Sequence, residues 1–295
     1  MGEAAALTAA MLFSLNSVFL RWGGKKVDLF WLNAFRCLIA AVLTTALLLA
    51  LRGTGGLLNL PLTTALWLAV TTLVMVAVGD SLFYLSCQHI GVSRSSPIAN
   101  AYPLVSVILA VLLLGEVATW RLGAATALVL LGAYLVARPG SSAHLAGPPA
   151  DVVAVRTGLI LAVLACLAWG VGAISDRMAM QVPGVDLLGA GTFRLLCGTV
   201  FLFLLARTRP YQIRWGSLPS GFLPLLFGAA VVCGVCTPLL WLFAVREVGA
   251  ARASLLSATG PLWGILFSAV FLRESITRAT IAGALLTILG VWTVL

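Results

Sequence analysis

The chain has 295 residues, of which 61% are hydrophobic and only 9% charged, with a net charge of +9 and a mean hydropathy of +1.10. A soluble globular protein of this length is far more charged, so the bulk solvent of this sequence is lipid. In so apolar a chain the excess of arginine is read through membrane topology, and nucleic acid is excluded as a partner.

Apolar runs of about 18–25 residues suit helices that cross a hydrocarbon core of roughly 30 Å. They are predicted at residues 4–20, 29–51, 63–87, 92–114, 120–137, 157–179, 187–206, 221–245, 250–272 and 276–295, ten in all. Only Met1-Gly2-Glu3 precedes the first run, and nine more spans follow it, so it is read as a retained helix and not a cleaved signal. The stretch "ARPGSSAHLAGPPADVVAVR", which ends at Arg156, is too polar to span and too rich in Pro, Gly and Ser to continue a helix. It is the predicted linker, giving a first repeat at 1–137, a linker at 138–156 and a second repeat at 157–295.

The two parts repeat one another. "DLFWLNAFRCLIAAVL" from Asp28 has its echo in "DLLGAGTFRLLCGTVF" from Asp186, 158 positions on. The same offset carries Arg36 to Arg194, Gly91 to Gly249, Arg94 to Arg252, Pro103 to Pro261, Glu116 to Glu274, Thr119 to Thr277 and Gly132 to Gly290. Five spans per copy is an odd number, so the second copy enters the bilayer inverted relative to the first. The predicted fold is therefore an all-α membrane protein of ten transmembrane helices arranged as two inverted five-helix repeats, a signature of alternating-access transport. Arg21, Lys25, Lys26, Arg138, Arg156, Arg207, Arg209 and Arg214 fall on one side of this layout, against chiefly Arg52, Arg121, Arg177, Arg246 and Arg252 on the other. That bias favours termini on the non-cytoplasmic side.

Ionisable groups inside apolar runs must pair, line water or act. Asp80 in the third span is the outstanding case, with Phe83 beside it, Tyr84 one turn on and Cys87 at i+7. A carboxyl, a phenol and a ring together suit an ammonium group or a proton, while the alternative is a carboxylate that accepts hydrogen bonds from a neighbouring helix and holds the bundle together. The repeat puts Pro238 at the matching position, so whatever Asp80 does, it does once. Arg36 and Arg194 sit about two turns into matched spans. They are packing or helix-end residues, partners for a substrate carboxylate, or, for Arg36, a neutraliser of Asp80. Asp176 and Arg177 at the end of span six read as interfacial, and Glu116 and Glu274 read as caps at the mouth of the fifth helix of each copy.

Pro103 and Pro261 lack an N–H and are predicted to kink the fourth span of each copy, leaving the carbonyls of Ala99 and Ser257 without their helical donors. Paired kinks in inverted copies point to a central site. Ser96, Asn100, Tyr102, Ser254, Ser257 and Trp263 surround them, and small residues packing helices closely are the other reading of any single serine. Ser14, Asn16 and Ser17 add polar groups in span one, and Trp169 in span six stands where span one has Phe13. Gly123 with Ala127 and Ala279 with Gly283 are expected to let helices approach closely. The six cysteines lie in apolar runs, and with two histidines in the chain neither a metal site nor a cofactor is predicted, Cys233-x-x-Cys236 included.

Two five-helix copies, each with Phe-Arg early in its second helix, a proline in its fourth and an acid after it ("LLLGEVATW", "VFLRESITR"), resemble EamA-type members of the drug/metabolite transporter superfamily. "GDSLFYLSCQHIGVSRSSPIANAYPL" is similar to one branch of that family, and the resemblance covers the chain apart from the linker. It implies a permease whose cavity lies between helices one, three, four, six, eight and nine, and it makes Asn16, Asp80, Tyr84, Asn100, Tyr102, Trp169, Trp241 and Trp263 candidate lining residues. Small four-helix multidrug relatives exchange protons through a first-helix glutamate that this chain lacks, so proton coupling would fall to Asp80. The expected function is secondary transport of a small organic metabolite, an amino acid or related amine, outward across a prokaryotic cytoplasmic membrane. The partners are that small molecule, the lipid bilayer and, if Asp80 couples, protons; an uncoupled facilitator or an exchanger of another metabolite class is the alternative. A membrane-embedded enzyme is not expected, because it would need a nucleophile, metal ligands or an acid pair inside the bundle, and two histidines with one clear mid-membrane carboxylate leave little to work with.

Overall fold

The computed structural model describes residues 1–23, 27–90, 95, 98–136, 152–208, 218, 220–260, 262–263, 266–267 and 278–294, and among them the chain is all-helical. In chain order the helices are α1 (Gly2–Gly23), α2 (Leu29–Arg52), the single turn α3 (Gly55–Leu58), α4 (Leu62–Thr71), α5 (Asp80–Ile90), α6 (Tyr102–Leu114), α7 (Trp120–Val136), α8 (Val152–Met180), α9 (Leu187–Ala206), α10 (Phe222–Ala229), α11 (Thr237–Val248), α12 (Ala250–Ser257) and α13 (Arg278–Val294). Five continuous rods are long and apolar enough to cross a membrane: Phe30–Arg52, Leu62–Ile90, Val153–Met180, Leu187–Ala206 and Phe222–Val248. Shorter apolar helices accompany them.

Local chemistry explains where these helices begin. Asp28 accepts from Phe30 N–H at 2.9 Å and opens α2, and its counterpart Asp186 accepts from Gly189 N–H at 2.9 Å and opens α9. Thr119 caps α7 through Leu122 N–H at 3.2 Å. The duplicated aspartates of the sequence are thus helix N-caps.

Two kinds of irregularity interrupt the α-helical spans. α4 and α5 are joined by a π-helical stretch, Thr72–Gly79, and α10 and α11 by another, Ala230–Cys236, at positions 158 residues apart. Such widened turns shift the face on which every later side chain emerges. The fourth span, expected to carry a kink at Pro103, is instead interrupted at Asn100 and Ala101, where Ala101 N–H bonds Ile98 O at 3.2 Å and Leu104 N–H bonds Ala101 O at 3.0 Å. Pro103 lies in the first turn of α6, where its missing N–H removes no helical bond. The same interruption follows α12, where Thr259 N–H bonds Leu256 O at 3.2 Å and Leu262 N–H bonds Thr259 O at 2.9 Å. Pro261, the other expected kink, lies outside the described residues.

The packing units are not the two sequence halves. α8 lies along α4, α5, α6 and the first π-helical stretch, all from the other half of the chain, while α1 packs on α11, α12 and the second π-helical stretch. α2 pairs with α9, and α7 with α13. In the α7–α13 pair, a Cβ on Gly132 would meet Thr287 Oγ1 at 2.2 Å and the Gly283 carbonyl at 2.6 Å, and one on Gly290 would meet Val129 Cγ2 at 2.8 Å and the Ala125 carbonyl at 3.0 Å. Gly132 and Gly290, not Gly123, are therefore the close-approach glycines of α7 and α13; Gly123 has open space beside it.

One end of the bundle carries the start of α1, the ends of α2, α6, α8 and α11, and the starts of α9 and α12; we call it the proximal end. Near it, Asp176 of α8 is fully buried and forms an ion pair with Arg194 of α9, Oδ2 to Nη1 at 3.1 Å, and Trp241 of α11 donates its indole N–H to the same Oδ2 at 2.7 Å. Asp176 is thus a core residue and not the interfacial one expected, because α9 and α11 cover its face of α8. Arg177, in the last turn of α8 and part-buried, donates to the backbone carbonyls of Val245 at 2.9 Å and Arg246 at 2.6 Å.

Asp176→Asn leaves Arg194 buried without its counter-charge, and a loss of roughly 3–5 kcal/mol is expected. Thermal unfolding in detergent micelles reads it as a lower midpoint, which Asp176→Asn/Arg194→Met largely restores. Gly132→Val lowers the same midpoint by prising α7 from α13, whereas Gly123→Ala leaves it unchanged; equal effects would contradict the packing described.

Candidate functional site

Asp80 is the first residue of α5, directly after the π-helical stretch and ten residues before Ile90, so it stands about 15 Å along the helix from the distal end. It is half-buried, and its Oδ1 accepts the indole N–H of Trp169 on α8 at 3.0 Å. Gly79 permits this approach: a Cβ there would lie 2.7 Å from Trp169 Cδ1 and 2.9 Å from Nε1. Arg36 on α2, and more weakly Arg194, act electrostatically on the Asp80 carboxylate. Arg36 also donates to Asn33 Oδ1 of its own helix at 2.6 Å.

Aromatic rings wall the carboxylate. Phe83 is tilted against Trp169 at 5.3 Å between centroids, Tyr102 meets Trp169 edge-on at 6.0 Å, and Tyr84 lies 6.0 Å from Phe83 and edge-on to Phe30 at 6.4 Å. Such edge-to-face contacts set ring orientation as well as burying area. Tyr102 begins α6 immediately after the Asn100–Ala101 interruption, and its hydroxyl is hydrogen-bonded to the hydroxyl of Ser257, the last residue of α12. The two helix interruptions are therefore linked side chain to side chain, next to the ring that holds Asp80.

The structure thus brings together Asp80, Tyr84, Tyr102 and Trp169, with Asn100 at the adjoining turn and Arg36 within electrostatic reach. Trp241 does not join them: it serves the Asp176–Arg194 pair. Trp263 lies beyond the second interruption, its indole N–H buried with no partner among the described residues. The side chain of Asn16 lies outside the described residues. All six cysteines are free thiols; Cys233 donates to the Leu12 carbonyl at 3.5 Å and Cys37 to the Leu195 carbonyl at 3.5 Å. Phe83 stands with Asp80 and Tyr84 as the sequence reading has it, whereas Asp176, read there as interfacial, is a second buried acid. Asp176 does carry a sequence signal, since it lies seven residues after Trp169 and so shares its helix face.

Glu116, expected to cap α7, instead accepts from Ala250 N–H at 3.1 Å and caps α12 of the other half. α12 begins there because Gly249, at φ +86°, turns the chain in the left-handed region and leaves no Cβ to collide with Glu116 Oε1, 2.7 Å away from where one would be. Glu274 and Thr277 lie outside the described residues. Chemically, the cluster offers one acid, a nearby guanidinium and a box of aromatic faces. It thus sets an acidic and a basic group among aromatic faces in one span-depth cluster.

Comparison with known proteins bears on the fold and the family. A solved crystal structure superposes with a TM-score of 0.83 over 99% of this chain and 96% of that one at 17% identity, which establishes a shared fold. An uncharacterized transporter of Archaeoglobus fulgidus is 25% identical over 97% of this chain and 95% of its own length. The pseudopaline exporter CntI of Pseudomonas aeruginosa is 30% identical across 46% of this chain and 45% of its own. The EamA-like transporter family matches residues 1–138 and 156–295. With an all-helical apolar bundle and full-length similarity to transporters, this chain is a multi-pass membrane transporter, not an enzyme, and belongs to the EamA-like transporter family.

Proposed function

We propose that this protein is a secondary transporter that exports an amino acid or related amine across the cytoplasmic membrane by alternating access. The observation that carries the reading is Asp80: a half-buried acid deep in a span, oriented by Trp169, walled by Phe83, Tyr84 and Tyr102, and adjacent to two linked helix interruptions. In lipid an ionisable group so placed is a functional-site candidate. An α-amino acid fits the available charges, its ammonium toward Asp80 and its carboxylate toward Arg36. The name of the Pseudomonas relative, an exporter, supports the direction.

We further propose ten spans as two inverted repeats, 1–137 and 157–295, joined by a 138–156 linker. Three matched features support this: the π-helical stretches at Thr72–Gly79 and Ala230–Cys236, the interruptions at 100–101 and 258–259, and the reciprocal contacts of Gly132 and Gly290. Given how α8 and α1 pack, the bodies that rock are α4–α6 with α8 and α10–α12 with α1, so the first span of each repeat travels with the opposite repeat. A second reading, the uncoupled facilitator, is favoured by the bond that already engages Asp80.

The test is uptake of a labelled amino-acid panel by proteoliposomes with and without an imposed pH gradient. Coupled export predicts gradient-stimulated flux that Asp80→Asn abolishes while equilibrium exchange survives; flux indifferent to both leaves the facilitator. Gly79→Ala pushes the Trp169 indole off Asp80 without touching either side chain, and it is expected to lower flux roughly tenfold, as Trp169→Phe does, since a hydrogen bond to a charged group is lost. Undiminished flux in both variants at normal expression would remove Trp169 from the site.

A further inference from the structure

Three sets of polar contacts at the proximal end tie the body containing α6 and α8 to the body containing α11 and α12. Arg177 of α8 donates to the last carbonyls of α11, at Val245 and Arg246, where a cation complements the helix dipole. Glu116, just beyond α6, holds the first N–H of α12. Beneath them Trp241 of α11 bonds Asp176 of α8. The Arg246 carbonyl and the Ala250 N–H are orphan groups of helix ends that these contacts satisfy, while the Val245 carbonyl also accepts the Gly249 N–H at 3.2 Å, so separating the bodies at this end leaves Arg246 O and Ala250 N–H to whatever replaces the contact. Val245, Ala250 and Ala251, behind the contacts, are buried. A polar cavity of about 690 Å³, lined among others by Arg52, Asn59, Gln181 and Arg246, opens at the same end and shares Arg246 with the Arg177 contact.

Resting on the transporter reading, we propose that Arg177 and Glu116 form a latch that gates the proximal end of the pathway. The cavity is the vestibule outside it, and the Tyr102–Ser257 layer lies inside. Arg177 and Glu116 do not bind substrate; they set the fraction of molecules closed at this end. Gly249 belongs to the device, since any side chain there displaces the Glu116 carboxylate.

Ser254 is the natural reporter. It lies one turn into α12 from the latch, is fully buried, and its hydroxyl has no partner among the described residues, so Ser254→Cys in a cysteine-free background perturbs little. Labelling by a membrane-impermeant maleimide is measured in right-side-out and inside-out vesicles, with the latch intact and with Glu116→Ala or Arg177→Met. Removing one helix-end contact is expected to raise the labelling rate from the proximal face by roughly fivefold or more. Ser95→Cys, buried near the distal end, is the control and keeps its rate. Unchanged Ser254→Cys labelling in both latch variants overturns the gate, and so does equal acceleration at Ser95→Cys, which signals general loosening. Labelling requires no substrate, so an error in the substrate class leaves this result intact, and a failed latch leaves the uptake assay intact.

Discussion

Inside a bilayer no water is available to an unpaired backbone N–H or carbonyl, and this constraint governs every irregularity in the molecule. Where the helices widen or stop, a side chain stands in. Thr72 donates to the Leu68 carbonyl at 2.6 Å as the first π-helical stretch begins, Ser81 donates to Ala77 as it ends, and Thr237 donates to Val232 at 2.9 Å at the close of the second. Arg177 and Glu116 do the same for two helix ends across the body-to-body interface. At these places the protein itself supplies backbone partners, and the first π-helical stretch leads directly into Asp80.

The same solvent dictates how charge is housed. Asp176, fully buried, and Arg194, nearly so, neutralise one another with Trp241 as an added donor, so that pair can hold α8, α9 and α11 together without ligand. Asp80 and Arg36 are arranged differently: the acid is half-buried, its direct donor is the neutral indole of Trp169, and the guanidinium acts on it from α2. Although Arg36 and Arg194 occupy matched positions, one belongs to a structural ion pair and the other is held by Asn33 near a site.

Much of this was legible in the chain. Helix positions followed from unbroken apolar runs because a membrane span is a local object: about twenty residues must be apolar whatever their neighbours. The interruptions were signalled by Pro103 and its counterpart, although the break lies before the proline, at Asn100 and Ala101, since a residue without an N–H is tolerated in the first turn of a new helix. Glu116 was recognisable as a capping acid. Its helix was not, because α7 follows it in sequence while α12 reaches it only through the packing of the two bodies.

The sequence alone determined the lipid environment, the positions of the apolar runs, the 158-residue offset and the unusual placement of Asp80, all of them properties of short segments or of their repetition. Only the tertiary structure decided partners. Trp169 with Asp80, Trp241 with Asp176 and Tyr102 with Ser257 are separated by 89, 65 and 155 residues, and each pairing depends on how a helix is rotated about its axis. The π-helical stretches reset that rotation partway along α4–α5 and α10–α11, so no periodicity counted from the start of those spans leads to the face on which Asp80 or Trp241 emerges.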